Sequence, residues 1–185
     1  MGFDFKNASK EQLSSEYDRI AKATGDDRFF TKKELYHLPK VLAAGEQILA
    51  FSSGLMEGHT WMIALTDRRI IFLDKGLIYR LQQTSIDLDK VNAIGCETGI
   101  IFGTITIEDG ASSRSIAKVL KRTVIPFINM VRDAMEARKT SIRRSISPDS
   151  GDDVVSKLER LAALKEKGTL SEDEFEQQKA RLIGR

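Results

Sequence analysis

The side chains that most often do chemistry in enzymes are sparse in this sequence. It contains two histidines, His37 and His59, and one cysteine, Cys96, and their spacing matches no zinc-binding pattern. It has no phosphate-binding glycine loop, no Gly-x-Ser-x-Gly motif and no dinucleotide-binding fingerprint. Because catalysis needs a positioned acid, base or nucleophile, the sequence predicts a protein that is not an enzyme and that holds no metal and no cofactor.

The cysteine and the hydropathy pattern bear on the compartment. Cys96 lies in an apolar stretch and is predicted to be a core residue, and a single cysteine cannot form an internal disulfide. The first ten residues are polar, so we expect no secretory signal. No run approaches the roughly 20 apolar residues that a membrane helix needs. The sequence therefore predicts a soluble, cytoplasmic protein.

The charges are nearly balanced, with 29 basic and 27 acidic residues. This balance argues against a dedicated nucleic-acid binder, which usually carries a strongly basic face. A local basic end remains possible, and contact with phosphates through it is one alternative function. The residues of that end are Lys118, Lys121, Arg122, Arg138, Lys139, Arg143 and Arg144.

The periodicity of apolar residues changes near Glu46. Before it, residues 9–23 predict a helix that opens with a capping box of Ser9 and Gln12, and a second helix opens at Thr31. Pro39 is predicted to begin a further helical piece. After Glu46, short alternating segments separated by turns every eight to twelve residues predict an antiparallel sandwich or partly open barrel.

Helical periodicity returns after the strands. Residues 120–139 predict a long helix whose apolar face caps one open end of the sheet. Residues 141–153 lose this periodicity and predict a flexible linker. Residues 154–185, called here the tail hairpin, predict two helices joined by a turn at residues 167–169, the second opened by a capping box of Ser171 and Glu174.

The order of the strands and their motifs resembles the bacterial pleckstrin-homology-like domain. The matching segments are Gly45–Ile48, Gly54, Thr66–Asp74, Ile86–Val91 and Gly99–Ile107. The resemblance implies a seven-stranded, strongly bent antiparallel sheet capped by the long helix. The fold class is therefore predicted as α+β, with N-terminal helices at residues 1–37 and the PH-like domain at residues 38–140.

The tail hairpin is similar to the SHOCT (short C-terminal) domain. Leu158–Leu161 and Leu164–Ser171 match its first half, and Glu174–Glu176, Lys179 and Leu182 match its second half. Such segments occur at the ends of many unrelated bacterial and phage proteins. The resemblance implies a module of that origin and not an activity.

The size of the tail hairpin indicates a function. Two helices in about thirty residues bury too little surface to be stable alone. Their apolar stripes must pack on the sheet domain, on another copy of the chain or on a different protein. We expect a homo-oligomeric interaction scaffold, and the predicted interface residues are Leu158, Leu161, Leu164, Phe175 and Leu182.

Peripheral membrane binding is the other alternative. In many eukaryotic pleckstrin-homology domains, lysines and arginines of the first hairpin hold phosphoinositides. Here that hairpin, residues 52–59, contains neither residue. Leu55 and Met56 are the side chains there that would insert into lipid. The resemblance therefore supplies no lipid-binding residues.

Overall fold

The computed structural model describes residues 2–26, 32–76, 81–146, 152–166 and 171–183. Its elements fall into two compact units, residues 1–139 and residues 140–185, divided within the third helix. The elements, in chain order, are α1 (Lys10–Thr24), α2 (Lys32–Val41), β1 (Ile48–Met56), β2 (His59–Thr66), β3 (Arg69–Lys75), β4 (Leu81–Asp87), β5 (Ala93–Thr98), β6 (Phe102–Glu108), β7 (Ser113–Leu120), α3 (Lys121–Ile146), α4 (Asp152–Glu166) and α5 (Glu172–Ile183).

The seven strands form one antiparallel sheet in the order β4-β3-β2-β1-β7-β6-β5. Strand β1 joins its two halves, because it pairs with β2 along its length and with β7 through Leu55 and Ala117. One face of α3 packs into the core that lines the inner face of the sheet, and its buried residues are Val124, Phe127, Ile128 and Val131. The predicted α+β fold and its capping helix are confirmed.

Strands β1, β2 and β3 are buried on both faces. Ile63, Leu65 and Phe72 point into the core shared with α3, whereas their neighbours Met62 and Ile71 belong to a second core. That second core is completed by apolar residues of α1, α2 and the first residues of the chain. The N-terminal helices therefore form one compact unit with the sheet, and the expected boundary between residues 37 and 38 falls inside α2.

Helix α2 continues through Pro39, where the sequence predicted a new helical piece. A proline has no backbone N–H, so the carbonyl four residues earlier, that of Leu35, loses its usual helical partner. The hydroxyl of Tyr17 on α1 donates to this carbonyl at 2.8 Å. Burial raises the pKa of Tyr17. The hydroxyl therefore stays protonated as a donor, and it stabilises the proline-containing helix against α1.

A buried ion pair joins the end of α2 to the strands. Arg69 donates to both carboxylate oxygens of Glu46, at 2.9 Å each, and to the carbonyl of Val41 at 3.1 Å. Thr66 and the N–H of Ala43 also donate to Glu46, at 2.8 and 2.7 Å. Burial by itself would raise the pKa of Glu46, but these hydrogen bonds outweigh it and the pKa is lowered. All the oxygen lone pairs that matter are thus satisfied, which makes burial of the carboxylate tolerable.

The first hairpin differs from the prediction. The sequence placed a turn at Ser52-Ser53-Gly54, but β1 runs on to Met56 and the chain turns at Glu57 and Gly58. Both turn residues have positive φ, 54° and 80°, as a two-residue hairpin turn requires. Gly54 instead marks the crossing of β7, since a Cβ there would lie 2.5 Å from Ile116 Cγ2 and 2.6 Å from the carbonyl oxygen of Ala117.

Three further expectations change. Cys96 is exposed and not in the core, because β5 is an edge strand with most of its residues in solvent. Helix α3 continues to Ile146 and α4 begins at Asp152, so helix replaces part of the expected linker at residues 141–153. Three predicted features lie outside the described residues: the capping residue Thr31, the strand segment 77–80 and the turn at 167–169.

Candidate functional site

The second unit contains the tail hairpin, whose helices α4 and α5 pack against each other. The predicted capping box opens α5. The N–H of Ser171 donates to the Glu174 carboxylate at 3.0 Å, and the N–H of Glu174 donates to the Ser171 hydroxyl oxygen at 3.4 Å. These bonds lower the pKa of Glu174, so the cap is complete at neutral pH, when the carboxylate is charged.

The five predicted interface residues lie on the two helices, and none of them is buried. Leu158, Leu161, Phe175 and Leu182 are half-buried, and Leu164 is 40% exposed. Leu161, Leu164 and Leu182 line a common shallow groove of about 270 Å³, whose remaining lining residues are Arg160 and Gln178. The structure therefore brings three of the five together in one groove.

Phe175 is covered by cations in place of apolar neighbours. The Nζ atoms of Lys165 and Lys179 lie 5.0 and 5.7 Å from the centre of its ring, within the range of cation–π attraction. Lys165 also forms an ion pair of 2.6 Å with Glu172, which ties the end of α4 to the start of α5. The sequence analysis assigned Phe175 to the apolar interface but did not predict these lysine contacts.

No described side chain of the tail hairpin is buried. Its apolar residues therefore keep much of their contact with water, and the free energy from hydrophobic burial is only partly gained. The arrangement is that of an amphipathic helix pair with a groove on its apolar side. Such a surface is chemically suited to receive further apolar side chains.

The residues of the two alternative functions are placed differently. In the first hairpin, Met56 is buried and Leu55 half-buried, so this hairpin does not present the apolar side chains expected for lipid contact. Lys118, Lys121 and Arg122 are exposed where β7 meets α3, whereas Arg138, Lys139 and Arg143 follow further along α3. The side chain of Arg144 lies outside the described residues.

A mixed polar groove lies at the opposite end of the sheet from the start of α3. It measures about 490 Å³, and Trp61, Gln82 and Arg114 are among its lining residues. Trp61 is buried, as the sequence predicted, and within the described structure its indole N–H has no hydrogen-bond partner. Arg114 is engaged by Asp109 at 2.8 Å and lies over the ring of Phe72, so it has structural partners already.

Two absences concern the described residues alone. They include no group of three histidine, cysteine or acidic side chains that would hold a metal ion. In the same part of the chain, no helix is both long enough and apolar enough to cross a membrane.

Family comparisons assign both units. Residues 42–133 match the family of the bacterial PH domain, and residues 156–183 match the short C-terminal domain. The chain therefore combines a bacterial PH domain with a short C-terminal domain, in the order that the sequence predicted. Neither family is a catalytic one. A comparison with curated proteins finds no match.

Two solved structures illustrate the similarity of fold. One is a DUF1696 family protein with a pleckstrin-homology domain from Shewanella loihica PV-4, at 16% identity and a TM-score of 0.42, covering 56% of this chain and 94% of that one. The other is a pleckstrin homology domain from Shewanella amazonensis SB2B, at 16% identity and a TM-score of 0.43, covering 56% of this chain and 96% of that one.

Proposed function

We propose that the protein is a non-enzymatic scaffold that assembles through its tail hairpin, with a second copy of the chain as the partner. The observation that carries the proposal is that the hairpin has apolar stripes on two helices and no described side chain buried. Helices of 15 and 12 residues are marginal in water unless their apolar faces are covered.

A second hairpin is a suitable cover. Two helical hairpins that face each other through their stripes form a four-helix arrangement, in which side chains of facing helices interdigitate around one core. Leu158, Leu161, Leu164 and Leu182 would fill that core, and the groove beside Leu164 would receive side chains of the other copy. A different protein with a comparable amphipathic helix would compete for the same surface.

The compartment proposed is the cytoplasm. Cys96 is a free thiol exposed on an edge strand. Reducing conditions keep such thiols from forming disulfides between molecules, and this compartment therefore suits an assembling protein with this cysteine.

The proposal is tested by placing charge in the stripe. The double variant Leu161→Asp/Phe175→Asp should fall to the mass of a single chain, 20.7 kDa, because two carboxylates would have to be buried without partners. Size-exclusion chromatography with light scattering measures the mass. The sheet domain should keep its fold, which near-ultraviolet circular dichroism reports through Trp61.

The matched control is the double variant Ala162→Asp/Gln177→Asp. Both positions are exposed on the same two helices, so the added charge is equal and its burial is not required. This control should retain the assembly of the unaltered chain. If the Leu161/Phe175 variant retains it as well, the tail hairpin is not the assembling surface.

A further inference from the structure

An apolar turn projects from the sheet between β5 and β6. Its residues Ile100, Ile101 and Phe102, called here the apolar tip, are 93%, 65% and 46% exposed. Turns of this kind usually contain Gly, Pro, Asn, Asp or Ser, and three consecutive large apolar side chains in solvent are costly. Ile125, on the first turns of α3, is 49% exposed as well.

The backbone holds the apolar tip in place. The N–H of Gly99 donates to the carbonyl of Phe102 at 2.8 Å, and the N–H of Lys121 donates to the carbonyl of Ile101 at 3.0 Å. Gly103 permits close packing behind the turn, since a Cβ there would lie 2.5 Å from the carbonyl oxygen of Glu97. The tip is thus fixed to the start of α3 and presents its side chains outward.

Basic residues lie on the segments that adjoin the apolar tip. Lys121 is bonded to it through the backbone, Arg122 follows, and Lys118 lies beside the irregularity in the β6–β7 pairing. All three are exposed, and Glu97 is the acidic residue of the adjacent end of β5. Three cations thus stand against one anion, which gives this end of the sheet a positive charge.

Lys118 occupies an unusual backbone conformation. Its φ is 53°, in the left-handed region where a residue with a Cβ costs about 1 kcal/mol or more relative to glycine. Irregularities in strand pairing re-aim side chains. A lysine at a position that favours glycine is accounted for when its charge is used at this surface.

We propose that the apolar tip inserts shallowly into an anionic lipid membrane, with Lys118, Lys121 and Arg122 contacting the headgroup phosphates. The convex shape favours lipid over a protein partner, since a bilayer deforms around a projecting side chain. A stable protein interface buries about 800 Å² on each partner, more than three side chains provide. The proposal requires no contact made by the tail hairpin, so it stands or falls separately from the proposed assembly.

The test is co-sedimentation of the full chain with vesicles. Vesicles of phosphatidylcholine and phosphatidylglycerol should bind the protein at low salt, whereas vesicles of phosphatidylcholine alone should bind it far less, and high salt should release it. Ile100→Ser should weaken binding about tenfold, because the inserted apolar surface is lost. Lys121→Glu should weaken it by at least about tenfold, because an attraction becomes a repulsion.

The matched controls are Tyr36→Ser and Lys10→Glu. Tyr36 is an exposed aromatic residue on α2 and Lys10 an exposed lysine at the start of α1, so each repeats the chemical change away from the tip, and both should bind as the unaltered chain does. Three results would overturn the proposal: no binding to anionic vesicles, equal binding to neutral vesicles, or an Ile100→Ser variant that changes only the mass of the particle. The last result would make the tip a protein contact.

Discussion

At the scale of single residues, the sheet domain depends on a few side chains that meet from distant parts of the chain. Glu46 and Arg69 are 23 residues apart and form a doubly hydrogen-bonded pair, and Gly54 makes room for β7. The sequence analysis noted all three within motifs but assigned none of these contacts. A partner choice between strands and a strand crossing follow from the tertiary fold, and local patterns do not contain them.

Gly54→Ala should destabilise the sheet domain by about 2–3 kcal/mol, because the added methyl group overlaps atoms of β7 that cannot move freely. Gly95→Ala is the matched control. Gly95 is a strand glycine at which a Cβ meets nothing within 4 Å, so its free energy of unfolding should change by less than about 0.5 kcal/mol. Urea unfolding measures both, and equal effects would contradict a close crossing at Gly54.

Glu46→Gln should destabilise by about 3 kcal/mol at neutral pH, since Arg69 then lacks its buried counter-charge. The pKa of Glu46 is lowered in the folded protein. Its contribution is therefore complete above the ordinary carboxyl pKa and is lost as the pH falls through the folded value. The difference in unfolding free energy between the variant and the unaltered chain should thus shrink in acid.

The control for this effect is Glu136→Gln, which removes an exposed carboxylate paired with Lys139. Exposed pairs of this kind contribute little, so its unfolding free energy should stay close to that of the unaltered chain. A Glu46→Gln difference that is constant from neutral to acid pH would show that the carboxylate is not held by Arg69 as described.

At the scale of elements, local signals predicted helix starts better than strand ends. The capping boxes at Ser9 and Ser171 are both formed, because their hydrogen bonds need only residues three positions apart. The end of β1 was misplaced, since Ser52-Ser53-Gly54 satisfies the composition of a turn while the pairing with β2 and β7 keeps it extended. Pro39 was misjudged because the hydroxyl of Tyr17 replaces the lost helical bond.

One strand signal was available but not used. The run Trp61-Met62-Ile63-Ala64-Leu65 does not alternate with polar residues, and such a run indicates a strand that is buried on both faces. It would have predicted that the N-terminal helices cover the outer face of the sheet. Cys96 shows the converse: an apolar stretch was taken for core, yet β5 lies at the sheet edge.

Ser171→Ala should weaken the start of α5 by about 1 kcal/mol, because two backbone N–H groups lose their capping partners. Hydrogen exchange at the first turn of α5 should become faster. Gln177→Ala, at an exposed position in the middle of the same helix, should slow exchange slightly or leave it unchanged, since alanine has the higher helix propensity. Equal exchange in Ser171→Ala and the unaltered chain would show that the cap contributes nothing.

At the scale of the whole molecule, the two domains and their order were predictable, because each carries motifs that are local in sequence. The residues of the tail groove were predictable too, since helical periodicity places them on one stripe. What covers that stripe was not, because a stripe has the same pattern whether its partner is a second chain or another protein. The exposed tip between β5 and β6 escaped the sequence analysis because Ile101–Ile107 was treated as a strand with ordinary alternation.

The most direct test of the account is the mass in solution of the full chain beside a chain that ends at Ser147. The shortened chain retains the complete first unit, residues 1–139, with its two apolar cores. Light scattering should find several chains in each particle of the full protein and a single chain in each particle of the shortened one. Equal numbers of chains in both particles would contradict the claim that the tail hairpin assembles the protein.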